Sequence, residues 1–383
     1  MNIKEIGEIR RRVRRDRSNM TEIYGCYVNE GKEIVAEFRQ STAIMSENDA
    51  GKYFALMRKT LSGSVGKNLI DITFQTAQVA GSPEHQLLMD LRKERLQNAQ
   101  TRETFYKKVM DSVDLDTAYL ILLGCDSYDV PFKSKDDTFQ ADSGDTVYTY
   151  LLCAICPVKL TKATLHYDPA QKEFHDGGAS NVASSPELGF LFPAFDNRAT
   201  NIYNALYYTH NTKVGQDAFA TAIFNRPIPQ PAQQQKKSFE GLLTTALGED
   251  SSMDVVQSVH QELCQRIELH KESKVPEPLL IDKESVKEAL ESCGVSDSHI
   301  AKFSVDYDSA FGFEAELHPK NIIDDKRMEI NLPDVSIKVA ADKADLIETR
   351  IIGGVKYILI NAEENVEVNG VSIHIGDKEA LGV

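Results

Sequence analysis

The chain has 383 residues and a formal net charge of −15, with 42% hydrophobic and 26% charged residues. That length exceeds one ordinary core, and the composition excludes disorder of the whole chain. Bulk acidity excludes non-specific coating of nucleic acid by the body of the protein, and no run reaches the 18 apolar residues of a membrane helix, the longest being AYLILLGC at 118–125.

Taken in chain order, Asn2 with Glu5 reads as a helix N-cap and its capping-box partner, and Ile6, Ile9 and Val13 follow as a narrow apolar stripe. Residues 24–40 alternate as two strands turning at Asn29-Glu30-Gly31-Lys32. Residues 47–63 read as a helix, 68–79 as a strand, and 84–98 and 101–113 as two more helices. Two largely buried strands follow at 118–130 and 146–160, joined by the polar run KSKDDTFQADSGD. From about Thr200 a helix is expected, with Asn197, Asn201 and Asn204 as neighbours on one face.

Composition marks the domain plan. RPIPQPAQQQKK, 226–237, has three prolines and four glutamines and reads as a linker after an N-terminal domain at 1–225. A helical connector is expected at 238–278, broken by KVPEP, and then a C-terminal αβ module at 279–383. Within that module EINLPDVSIKVA is a strand pair, while TRIIGGVKYILI and VEVNGVSIHI turn at Gly353-Gly354 and Asn369-Gly370. The fold class implied is α+β, with mixed or antiparallel sheets, packed helices and at least two units.

The charge is concentrated. EIRRRVRRDR, 8–17, carries Arg10, Arg11, Arg12, Arg14, Arg15 and Arg17, so residues 1–20 are +4 and the remainder −19. Guanidinium groups are permanently charged forks suited to phosphate oxygens, so the segment is expected on a short amphipathic helix that engages RNA or a ribonucleoprotein. Docking on the protein's own acidic surface and simple solvation are the competing readings.

Familiar catalytic patterns are missing. GSVGKN (63–68) has Leu61 where a phosphate loop needs its first glycine and Asn68 where it needs a hydroxyl. Cys153-Ala-Ile-Cys156 has no second ligand pair for zinc and is followed by Pro157, so these are expected to be buried packing thiols. No metal or cofactor is expected. Six sparse cysteines and a polar N-terminal start suggest a cytoplasmic setting. The aromatic and polar stretch 186–209 offers a second candidate, with Asp196, Arg198, Asn201 and Asn204 holding a small polar or nucleotide-like ligand. Its alternative is an aromatic core with polar caps. His166 and His175 flank a turn and could converge.

Several blocks together resemble one family: NIKEIGEIRRR, CYVNEGKEIVAEF, RKTLSGSVGKNLIDI, LCAICPVKL, ELGFLFPAFDNRATNIYNALYYT, HKESKVPEPLLIDKESVKEALESCGVS and ETRIIGGVKYILINAEENVEVNGV. The chain is similar, from residue 1 to about 373, to a bacterial cytoplasmic family described only as a domain of unknown function. The resemblance implies one architecture and no reaction, cofactor or partner. A binding or regulatory protein, an enzyme and an oligomeric scaffold all stay open.

Overall fold

Strands that are apolar on both faces need cover on both. The computed structural model describes residues 1–133, 139–140, 147–211, 216–248, 251–273, 275, 277–312, 315–362 and 366–373. It divides into two units, Met1–Pro231 with Pro276–Pro278, and Ala232–Val275 with Leu279–Val383.

The first unit runs α1 (Ile3–Arg12), β1 (Glu22–Val28), β2 (Ile34–Ser41), α2 (Glu47–Lys59), β3 (Leu69–Thr73), α3 (Thr76–Gly81), α4 (Pro83–Lys93) and α5 (Ala99–Ser112). It continues through β4 (Tyr119–Asp129), β5 (Phe132–Lys133), β6 (Phe139–Gln140), β7 (Val147–Leu160), β8 (Leu165–Asp168), β9 (Glu173–Asp176) and β10 (Asn181–Ala183). It closes with β11 (Leu188–Phe192), β12 (Ala194–Asp196), β13 (Ala199–Asn201), β14 (Asn204–Thr209) and α6 (Asp217–Phe224). The main sheet has the order β2-β1-β4-β7-β11-β14-β3, antiparallel throughout, with β10 joined to the end of β7.

Strand alternation sorts its side chains into two cores. Ile121, Leu123, Leu151, Cys153, Ile155, Phe190 and Tyr207 face Leu88 and Leu91 of α4, Phe105 and Val109 of α5 and Phe219 of α6. Leu122, Tyr150, Leu152, Ala154, Leu191 and Leu206 face Ile6 and Ile9 of α1 and Phe54 and Met57 of α2. The result is a three-layer sandwich with an antiparallel middle. Cys153 and Cys156 lie on opposite faces of β7, because residues an odd number apart along a strand point oppositely. All six cysteines are free. Burial pushes the Cys156 thiol up to about 12 and Cys153 well above its ordinary value.

The second unit packs α7 (Ala232–Leu247), α8 (Met253–Ser273), α9 (Lys283–Ser292), α10 (Asp297–Phe311) and the single turn α11 (Pro319–Ile322) around Phe239, Leu263, Val286, Leu290, Phe303 and Tyr307. Three hairpins follow: β15 (Arg327–Asn331) with β16 (Ser336–Ala340), β17 (Ile347–Ile352) with β18 (Val355–Ile360), and β19 (Val366–Val368) with β20 (Val371–Ile373). Gly353 and Gly354 both take positive φ, 58° and 82°, as a two-residue turn between twisted strands requires.

Four expectations change. The strand expected at 68–79 ends at Thr73, and Thr76–Gly81 is helical, with Gln75 and Gln78 forming a capping box. The helix expected from Thr200 is instead β13 and β14, held by the ladders to β12, β11 and β3. Only the proline-rich half of 226–237 lacks regular structure, since Ala232 onward is α7, where Gln and Lys are good helix formers. The helices expected as a connector, 238–278, bury Phe239, Leu242, Val259 and Leu263 in the core of the second unit. Most of the run joining β4 to β7, Lys274 and Pro276 of KVPEP, and His374 lie outside the described residues.

Candidate anion-binding face

Helix α1 begins as its sequence dictates. The Asn2 side chain accepts from the Lys4 and Glu5 backbone, while Glu5 accepts from the Asn2 N–H at 2.8 Å. Its last turn is Arg10, Arg11 and Arg12, where cations complement the exposed carbonyl end of the helix dipole. Ile6, Ile9 and Val13 are buried against the sheet. The helix stops there, at a Val13 with ψ of 71°.

Beyond it the chain turns, with the Arg17 and Ser18 N–H groups both donating to the Arg14 carbonyl at 3.2 and 2.9 Å. Arg14, Arg15 and Arg17 therefore sit on a turn rather than continuing a helical face with Arg10. The tertiary reason is Asp126, fully buried on β4, whose carboxylate accepts from the Asn19 N–H, the Ser127 N–H and the Tyr150 hydroxyl, each at 2.8 Å. Asn19 also donates through its amide to the Ser127 carbonyl at 2.8 Å. Buried Val13 and Met20 close the two ends. The basic segment is thus a clamped turn.

Two of the three acids in this segment point inward. Glu8 accepts from the Tyr128 hydroxyl at 2.6 Å and from Arg198 at 2.7 Å, and Glu5 accepts the Asn197 N–H at 2.8 Å. Burial, and then the Glu8 carboxylate, push the Tyr128 phenol up to about 12. The Arg12 guanidinium lies over the Tyr128 ring, 4.1 Å from its centre, and its Nε is buried with no hydrogen-bond partner among the described residues. Arg17 approaches Asp16 at 3.6 Å. Arg10, Arg11, Arg14 and Arg15 are exposed, and among the described residues none of them forms an ion pair. Arg14, Arg15 and Arg58 of α2 line a groove of about 600 Å³, together with Asp16, Glu47 and Phe54. Arg58 carried no sequence signal as a partner of the N-terminus, being over forty positions away.

Of the second sequence candidate, Asp196, Asn201 and Asn204 are brought together while Arg198 turns elsewhere, and all four groups are used internally. Asp196 Oδ1 lies 2.9 Å from the Met1 ammonium, and its Oδ2 accepts from Asn201 at 2.9 Å and Asn204 at 3.4 Å. Asn201 also accepts from the Tyr203 N–H, and Arg198 donates to the Pro131 carbonyl as well as to Glu8. Asn197 and Arg198 form the two-residue β12–β13 turn, both at positive φ of 49° and 60°. That turn seats the hairpin on α1.

Elsewhere, the loop Gly63–Asn68 follows a helix and precedes a strand, and Asn68 binds the Thr209 carbonyl at 3.1 Å. His166 and His175 are cross-strand partners in the β8–β9 hairpin. In the second unit a groove of about 890 Å³ runs along α8, where Lys271 pairs with Asp325 at 3.0 Å. Burial, then Asp325 and Glu268, push its Cys264 thiol up to about 11. Among the described residues no group of three potential ligands could hold a metal ion, and no helix is long and apolar enough to cross a membrane.

Residues 1–371 match the family described as a domain of unknown function (DUF4317), and the chain belongs to that family. No curated protein matches it.

Proposed function

We propose that this member of the DUF4317 family is a cytoplasmic binding protein that engages RNA, free or within a ribonucleoprotein, through Arg10, Arg11, Arg14 and Arg15. The observation that carries the reading is that these four guanidinium groups are exposed without an ionic partner among the described residues, on a backbone anchored by Val13, Asn19 and Asp126. Glu5 and Glu8 are turned away from that face, which makes it more basic than the local composition. The acidic remainder repels a polyanion, so contact concentrates here. Pre-anchoring lowers the ordering cost that a flexible arginine arm would incur on binding. The alternative site at Asp196, Arg198, Asn201 and Asn204 has less to offer a ligand, since each side chain already serves an internal contact.

The test is fluorescence anisotropy with a labelled single-stranded RNA over a salt series. Affinity is expected to fall linearly in log–log form with salt. Replacing the four arginines by alanine is expected to lower that slope by about 3, from roughly 0.7 released counterion per phosphate contact. Unchanged affinity and slope in the folded variant would overturn the proposal.

A further inference from the structure

The main sheet ends on one side in β2, an eight-residue strand whose described hydrogen-bonded neighbour is β1 alone. The direction of its backbone groups follows from the pairing. The Thr42 N–H donates to the Thr21 carbonyl at 2.9 Å, so 21 and 42 are a hydrogen-bonded pair. Such pairs alternate along an antiparallel ladder. In register, Ile23 with Gln40, Gly25 with Phe38 and Tyr27 with Ala36 exchange hydrogen bonds. Glu37 and Arg39, opposite Cys26 and Tyr24, therefore direct their N–H and C=O groups outward.

An open edge of this kind is a template for another strand. Its chemistry selects a particular occupant. Around Phe38 the sequence Glu37-Phe38-Arg39 is complementary to itself when run antiparallel. We propose that β2 pairs with β2 of a second copy of this chain about a two-fold axis at Phe38, joining two eight-stranded sheets into one.

In that register Phe38 lies opposite its symmetry mate in a non-hydrogen-bonded pair. Glu37 of each copy lies opposite Arg39 of the other in hydrogen-bonded pairs. The alternation required by the β1 ladder and that required by the two-fold pairing agree, which a shift of one residue would not allow. Glu37 is exposed and forms no ion pair among the described residues, so its carboxylate is available. Arg39 is exposed and already paired with Glu22 of β1 in its own chain, so in the paired sheets its guanidinium is shared between Glu22 and the arriving Glu37. Val35, 56% exposed, adds apolar surface near the end of the same edge. Opposite charges directly across a strand pair favour it and like charges disfavour it. A closed two-fold contact of this type also removes the exposed edge from further association.

Charge reversal tests the register by sedimentation equilibrium, with circular dichroism to confirm folding. The unmodified chain is expected at twice its 42.7 kDa mass. Glu37→Arg alone places like cations opposite each other, and Arg39→Glu alone places like anions, so each is expected as a monomer. An equimolar mixture of the two restores both opposite-charge pairs and is expected to form a mixed dimer. A monomeric unmodified chain would overturn the proposal, including the outcome in which the β2 edge accepts a strand of a different protein. So would dimers that persist in both single variants, or a mixture that stays monomeric although both variants are folded.

Discussion

The Met1 ammonium nitrogen lies 2.9 Å from Asp196 Oδ1, and 3.1 and 3.2 Å from the two Asp71 oxygens. One end of α1 is therefore fastened to the sheet by charge, while Asn19 and Asp126 fasten the chain just past its other end. Burial alone would lower the amine, but the Asp71 and Asp196 carboxylates outweigh it and raise it. Burial likewise raises Asp71, whereas at Asp196 the burial penalty is overcome by the ammonium and the two amide donors, which hold it low.

The first prediction is a pH dependence. A raised amine contributes stability that is fully present below the ordinary amine range near ~8 and is lost as pH rises through the folded-state value. Urea unfolding of the chain should therefore weaken on the alkaline side. Asp196 held low acts in the opposite direction, losing its contribution on acidification, while raised Asp71 opposes it there, so the alkaline limb is the informative one. Asp196→Asn should cost about 1–3 kcal/mol at neutral pH and flatten that limb. An equally steep limb in Asp196→Asn would show that another group controls it.

Gly189 should not tolerate a side chain. A Cβ there would collide with the Cys153 backbone carbonyl and come within 2.5 Å of Thr60 Cγ2, at the heart of the β7–β11 pairing under α2. Backbone cannot yield as a flexible side chain does. Gly189→Ala should cost about 1–3 kcal/mol, read as a lower urea midpoint.

Asp126→Ala should release the arginine turn. The change leaves two backbone N–H groups and the Tyr150 hydroxyl without their acceptor. A loss of about 2–5 kcal/mol is expected, with faster tryptic cleavage after Arg14, Arg15 and Arg17 under native conditions. Unchanged cleavage would mean that Val13 and Met20 alone hold the turn.

Thiol chemistry should follow burial rather than sequence spacing. Cys153 and Cys156 are buried on opposite faces of β7 and should resist a thiol-specific reagent until the chain unfolds. Half-buried Cys264 and Cys293 should react first in the native protein. Rapid native modification of Cys153 would contradict the described packing.

Local signals were reliable where the sequence carries its own geometry. The capping box of Asn2 and Glu5, the turn at Gly353-Gly354, and the apolar runs of β4 and β7 all follow from neighbours a few positions apart. Asn201 and Asn204 failed as helix neighbours because strand ladders to β12, β11 and β3 overrode a local amide spacing that suits either structure. Of the candidate ligand set, Asn201 and Asn204 meet Asp196 through a hairpin, beside the Met1 amine, whereas Arg198 turns away to Glu8 and the Pro131 carbonyl.

By itself, the sequence determined an α+β chain, the burial of Ile6, Ile9 and Val13, and a cluster of cations in an acidic protein, because periodicity and charge are properties of short windows. Only the tertiary structure decided which of those cations stay free. That depends on where Tyr128, Asp126, Asp196 and Arg198 meet the first twenty residues, contacts spanning more than a hundred positions that no local pattern encodes.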